Sequence, residues 1–173
     1  MKCYLLLALC TMLAAAQAPA PEFGRAHPIP AAAKRFVGTW RLVSIEERRP
    51  NGEAVPRTGR LGADPLGLIL YDSTGHMAVQ ITARDRQHFA AAQPTGEEAW
   101  DALRSYVAYF GTYTVDEAAR TVTHHTVGNI NPNIERDRVR HFEFSGNRLT
   151  LIPPPSKVNG ETRTVRLTWE RIR

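Results

Sequence analysis

Two adjacent histidines, His124-His125, sit inside the β-branched run Arg120-Thr121-Val122-Thr123-His124-His125-Thr126-Val127. Imidazole titrates closest to neutral pH, so this pair is the first candidate for moving a proton. Neighbouring residues of a strand point to opposite faces. The two rings therefore cannot chelate one metal from the same strand, and the sequence contains no His-x-His, so no metal centre is expected. One of the pair should face the protein interior and the other solvent or a covering loop. A half-buried histidine hydrogen-bonded to a neighbour fits the same pattern without any catalytic role. The sequence does not say which of the two turns inward.

Phenols and guanidinium groups surround that pair in sequence. Tyr71, Tyr109 and Tyr113 supply phenols, and His76 and Gln80 share one face of their strand. In a low-dielectric cavity a Tyr-His pair can transfer protons while Gln or Arg holds a carbonyl oxygen. That is the constellation a cofactor-free cyclase, isomerase or dehydratase of an oxygenated hydrophobic metabolite needs, with His125, His124 and Tyr113 as its catalytic candidates. Binding alone asks for less. Arg136, Arg138 and Arg140 share strand parity with Phe142 and Phe144; if the phenylalanines face inward, the arginines follow them toward the mouth of the cavity. A lining that is aromatic below and cationic above suits an amphipathic ligand with an anionic or oxygenated end. The other reading is that these arginines are solvated and pair with acids. Candidate ligand contacts are Trp40, His76, Gln80, Tyr109 and Tyr113, joined by His124, His125, Arg138, Arg140 and Phe142. Tyr109, Gly111 and Tyr113 have the opposite parity from Phe110 and Thr112, and which set faces inward stays open. No nucleophile elbow or phosphate-cradling glycine loop occurs, and no cofactor is expected.

The elements that must position these groups are short strands. Gly38 to Glu47 opens with Gly-x-Trp, a tight backbone approach followed by a large ring. Leu66 to Tyr71 and His76 to Thr82 form a hairpin across Asp72-Ser73-Thr74-Gly75. Phe110 to Val115 pairs with Arg120 to Val127, Arg136 to Phe144 turns at Gly146-Asn147 into Arg148 to Ile152, and Thr162 to Arg171 is last. Between the third and fourth strands the period changes. Thr95 with Glu98 three residues on makes a capping box, and Trp100, Leu103, Val107 and Phe110 at helical spacing predict a helix over 96 to 109 with a core-facing stripe. The whole is an all-β chain of seven or eight antiparallel strands with one helical insertion.

With 173 residues and 43% hydrophobic content the chain supports one domain. Residues 1 to 16 carry Lys2, the apolar run Leu5 to Leu9 with Met12-Leu13, and Ala14-Ala15-Ala16, the layout of a secretory signal cleaved after Ala16. Residues 17 to 35, rich in Pro and Ala, are expected to be a mobile tether, leaving 36 to 173 as the domain. Cys3 and Cys10, the two cysteines, both fall in the signal, so disulfides and thiolate chemistry are excluded from an exported mature chain. The net charge of +5 is spread along the chain and does not resemble a nucleic-acid binder. The apolar N-terminal run is too short for stable membrane insertion.

Several segments in order carry a resemblance. Gly38-Thr39-Trp40-Arg41-Leu42, Gly67-Leu68-Ile69-Leu70-Tyr71, Gly75-His76-Met77-Ala78-Val79-Gln80, Tyr106 to Tyr113, Thr123-His124-His125, Asn131-Pro132-Asn133 and Phe142-Glu143-Phe144 together resemble the bacterial and fungal lipocalin-like domain family, over about Phe36 to Ile172. The resemblance implies a closed antiparallel barrel with a central cavity, and no catalytic residue set. The expected function is binding of a small hydrophobic or amphipathic molecule by a secreted or periplasmic protein. The alternative is the acid-base enzyme in the same cavity.

Overall fold

The computed structural model describes residues 22–57, 59–133 and 136–173. The expected signal over 1 to 16 lies outside the described residues. Ten strands follow in chain order: β1 (Gly38–Arg48), β2 (Ala54–Val55), β3 (Leu66–Tyr71), β4 (His76–Thr82), β5 (Tyr106–Asp116), β6 (Thr121–Asn129), β7 (Asp137–Ser145), β8 (Arg148–Ile152), β9 (Ser156–Val158) and β10 (Glu161–Arg171). They order as β2-β1-β3-β4-β5-β6-β7-β8-β10-β9, and β1 also pairs with β10. Eight strands thus close an antiparallel barrel, while the short β2 and β9 pair only with β1 and β10 outside the ring.

Inward parity runs cleanly around the barrel. Trp40, Leu42 and Ile45 on β1, Met77, Val79 and Ile81 on β4, and Leu149 and Leu151 on β8 are all buried. A register shift between Leu42 and Ser44 on β1 inserts one extra residue, and that insertion is what brings Ile45 and Glu47 onto the same side as Trp40 and Leu42. A second shift at Phe110/Gly111 lies between β5 and β6. There a Cβ on Gly111 would collide with the His125 carbonyl oxygen, so the residue at this position must lack one.

One end of the barrel is closed by the chain that precedes it. Ala31–Arg35 forms a 3₁₀ helix, and Phe36, fully buried, wedges among Tyr71, Phe142 and Phe144 at centroid distances of 5.3, 5.1 and 5.0 Å. Trp40 packs beside them and donates its indole N–H to the Phe36 carbonyl at 2.8 Å. Arg171 lies 4.0 Å above the Trp40 ring and donates to the carbonyls of Val37 and Arg35. Gly38 has φ +136°, and a side chain there would meet the Arg171 guanidinium, which accounts for the glycine of Gly-x-Trp.

Two expectations are corrected. The stretch expected to be a tether packs on the barrel wherever it is described: His27 donates its backbone N–H to Thr74, Phe23 lies 5.5 Å from the Phe110 ring, and Ala33 is buried. The helix α1 (Gly96–Arg104) is shorter than predicted. Its capping box forms as expected, but Tyr106 already pairs with Thr82, and the ladder between β4 and β5 runs unbroken from there to Thr112. The β-branched and aromatic run from Tyr106 wins because it can complete the barrel, whereas α1 buries no residue and leaves Trp100 59% exposed. Val107 and Phe110 belong to β5, so the predicted apolar stripe does not exist as one helix face.

Candidate functional site

Above the aromatic floor the barrel encloses a cavity of about 180 Å³. Its walls are aliphatic, with Ile45, Ile69, Val79, Ile81, Leu151 and Leu167 among them, and its polar side chains are Arg57, Tyr109, His124, Arg138, Arg140 and Trp169. Val107 and Arg138 also line an outer recess of about 350 Å³ against α1 and Asn131-Pro132-Asn133. A larger cleft of about 480 Å³ between residues 83–89 and α1 is open and highly charged, and none of the histidine-tyrosine groups reach it.

His124 is the inward member of the pair, and it is 1% exposed. Both ring nitrogens are engaged: Nε2 lies 2.7 Å from the Tyr71 hydroxyl and Nδ1 lies 3.0 Å from the Tyr109 hydroxyl. Arg140 stands close enough to favour the charged form of Tyr109, and Arg138 stacks its guanidinium 4.5 Å from the Tyr109 ring centroid. The result is a continuous hydrogen-bonded chain, Tyr71–His124–Tyr109, carried on β3, β6 and β5, with Arg138 and Arg140 of β7 beside its end. Each link follows from parity: Tyr109 has the same parity as Tyr113, His124 as Val122, and Arg138 and Arg140 as Phe142.

Burial governs the ionisation of these groups. His124 is pushed well below the ordinary imidazole range, first because burial disfavours the cation and then because Arg140 and Arg138 stand beside it. Burial likewise raises the Tyr71 and Tyr109 phenols, and Tyr113 is pushed up to about 12. Arg140 is lowered by burial yet stays a cation at neutral pH. Among the described residues neither Arg138 nor Arg140 forms an ion pair, whereas Arg57 pairs with Glu47 at 3.5 Å.

A pH dependence follows. An unfolded chain protonates this histidine near 6.5, whereas the folded chain takes the proton only at much lower pH. Below about pH 6.5 the unfolded state therefore binds more protons, so the stability contributed by neutral His124 is complete above that value and is lost as the pH falls. We expect the unfolding free energy from urea titration to drop between pH 7 and pH 5 with a slope approaching ~1.4 kcal/mol per pH unit. His124→Gln should flatten that slope; an identical slope in the variant would mean another group carries it.

The remaining sequence-predicted residues fall into three places. Tyr109, His124, Arg138 and Arg140 meet at the cavity. Trp40 and Phe142 face inward but belong to the closed end, and so does Tyr113, whose hydroxyl donates to the Asp72 carbonyl at 2.9 Å. His76, Gln80 and His125 lie on the outer face. His76 contacts Thr74 and the Phe23 ring, Gln80 accepts from the Tyr106 hydroxyl, and His125 bridges Thr114 and Asp137, each at 2.9 Å. The buried set on β4 is Met77, Val79 and Ile81, which forces His76 and Gln80 outward. Arg57 and Trp169 were not anticipated as lining. Trp169 could have been found from the parity it shares with Leu167 and Val165, but Arg57 comes from an irregular loop with no periodic signal. Among the described residues no cluster of three His, Asp or Glu side chains could hold a metal ion.

A closed eight-stranded antiparallel barrel around an internal cavity, with a short helix sealing its base, is the architecture of a lipocalin-like barrel. Residues 37–172 match the family model described as a lipocalin-like domain, and the chain belongs to that family. No curated protein matches it as a relative. Among the described residues no helix is long and apolar enough to cross a membrane.

Proposed function

We propose that this is an exported carrier of a small amphipathic molecule, whose apolar body fills the barrel cavity and whose anionic or oxygenated end meets Arg138 and Arg140. The supporting observation is the pair of inward guanidinium groups at an aliphatic cavity, without carboxylate partners among the described residues. A cation held away from water without a counter-charge is costly, and a ligand anion offsets that cost. The layout of residues 1 to 16 supports export to the periplasm or medium.

One experiment addresses both parts. Protein recovered from the exported fraction of expressing cells should have lost residues 1 to 16 by intact mass. It should then bind benzoate, whose size suits a cavity of this volume, and reject benzylamine. Retention of both amine and acid with equal affinity, or of neither, would sink the carrier reading.

The enzyme reading rests on the chain of two phenols and His124. With both ring nitrogens already bonded and its cation disfavoured, His124 is poorly placed to take up a substrate proton. Binding is therefore the better supported of the two.

A further inference from the structure

We infer that the buried chain has a fixed direction, with Tyr71 donating to His124, His124 donating to Tyr109, and the Tyr109 hydroxyl proton left for the cavity. The polar end of the cavity then offers only donors and selects ligands whose buried polar atoms only accept, carboxylates and carbonyls rather than alcohols or amines. This deepens the carrier reading and rests on it for the ligand class, though not for the direction.

A phenol carries one proton, and a buried hydroxyl that cannot donate it is left desolvated without compensation. The hydrogen-bond partner of the Tyr71 hydroxyl is His124 Nε2, and the Tyr71 ring lies 5.3 and 4.9 Å by centroid from Phe36 and Tyr113. Tyr113 has already committed its own proton to the Asp72 carbonyl. Tyr71 therefore donates to Nε2. Neutral imidazole has one donor and one acceptor nitrogen, so Nδ1 carries the proton and gives it to the Tyr109 oxygen. The reverse direction would leave the Tyr71 proton without a partner among the described residues.

At the far end Arg140 stands beside Tyr109 and can only donate, so it offers no acceptor for the phenol proton. Having accepted from His124, the Tyr109 oxygen keeps its own O–H for whatever occupies the cavity. The other polar lining groups agree: Arg57 and Arg138 have no acceptor atom, and Trp169, whose Nε1–H is buried without a partner, has none either. Tyr71 does not line the cavity, which makes it a positioning residue that acts through His124.

The direction is read from the ring ¹⁵N spectrum of His124 in the whole protein without ligand. Protonation at Nδ1 is expected, and protonation at Nε2 overturns the proposal outright. The ligand class is read with two neutral probes of matched shape, acetophenone and ethylbenzene, followed by NMR titration. Wild type should prefer the ketone at least fivefold, and Tyr71→Phe, which frees Nε2, should shrink that preference to less than twofold. An unchanged preference in Tyr71→Phe, or no binding of either probe, overturns the ligand class. Should benzoate fail to bind while Nδ1 is protonated, the carrier reading falls and the direction stands. If Tyr71→Phe does not fold, the wild-type spectrum and the wild-type probe preference still decide.

Discussion

Trp40→Ala should destabilise the protein by about 3–5 kcal/mol, the range for removing a large buried aromatic ring. The ring is 1% exposed, lies 6.1 Å from Phe144 by centroid, and carries the stacked Arg171 guanidinium. Truncation empties that space and also takes the donor from the Phe36 carbonyl. For a domain of this size such a loss lowers Tm on the order of 10 °C. Trp40→Phe keeps most of the packing and loses the N–H, so it should cost only about 1 kcal/mol. Denaturant titration of the two variants distinguishes the terms, and wild-type stability in Trp40→Ala would show that the base of the barrel does not depend on this ring.

The second large effect belongs to Arg140. Replacing it with Gln removes one cation from the cavity and the charge-assisted bond it would make to a bound acid, worth roughly 1.5–3 kcal/mol. Benzoate affinity should fall roughly ten- to a hundred-fold by calorimetric titration. Folding stability should hold or rise slightly, because a partly buried guanidinium without a carboxylate partner is itself a cost. Unchanged benzoate affinity would move the anion elsewhere, with Arg57 as the next group to vary.

Much of the barrel was legible because its strands advertise themselves twice, by β-branched content and by turn residues. The hairpin across Asp72 to Gly75 and the Gly146-Asn147 turn fall where the sequence places them. On β7 the sequence left two readings, arginines following Phe142 or solvated and acid-paired, and the structure has Arg138 and Arg140 on the Phe142 side. Parity fails as a guide when the buried set is not known beforehand. On β4, His76, Ala78 and Gln80 alternate as regularly as Met77, Val79 and Ile81, and only the greater apolar volume of the second set decides which faces in. The helix boundary was misjudged for a related reason. Val107 and Phe110 suit either period, and the competing partner, β4, is not local in sequence. Likewise, the residues after 22 read as a tether by composition, because Pro and Ala give no periodicity even when Phe36 anchors them under the barrel.

Closing the ring by joining β1 to β10 also sets an order of events during synthesis. The guanidinium that covers Trp40 comes from Arg171, 134 positions away from the Val37 carbonyl it binds. β1 can pair with β3 early, but its other edge stays open until β10 has been made, and contacts of such separation slow folding. A nascent chain of this kind keeps one seam of the barrel open through most of its synthesis.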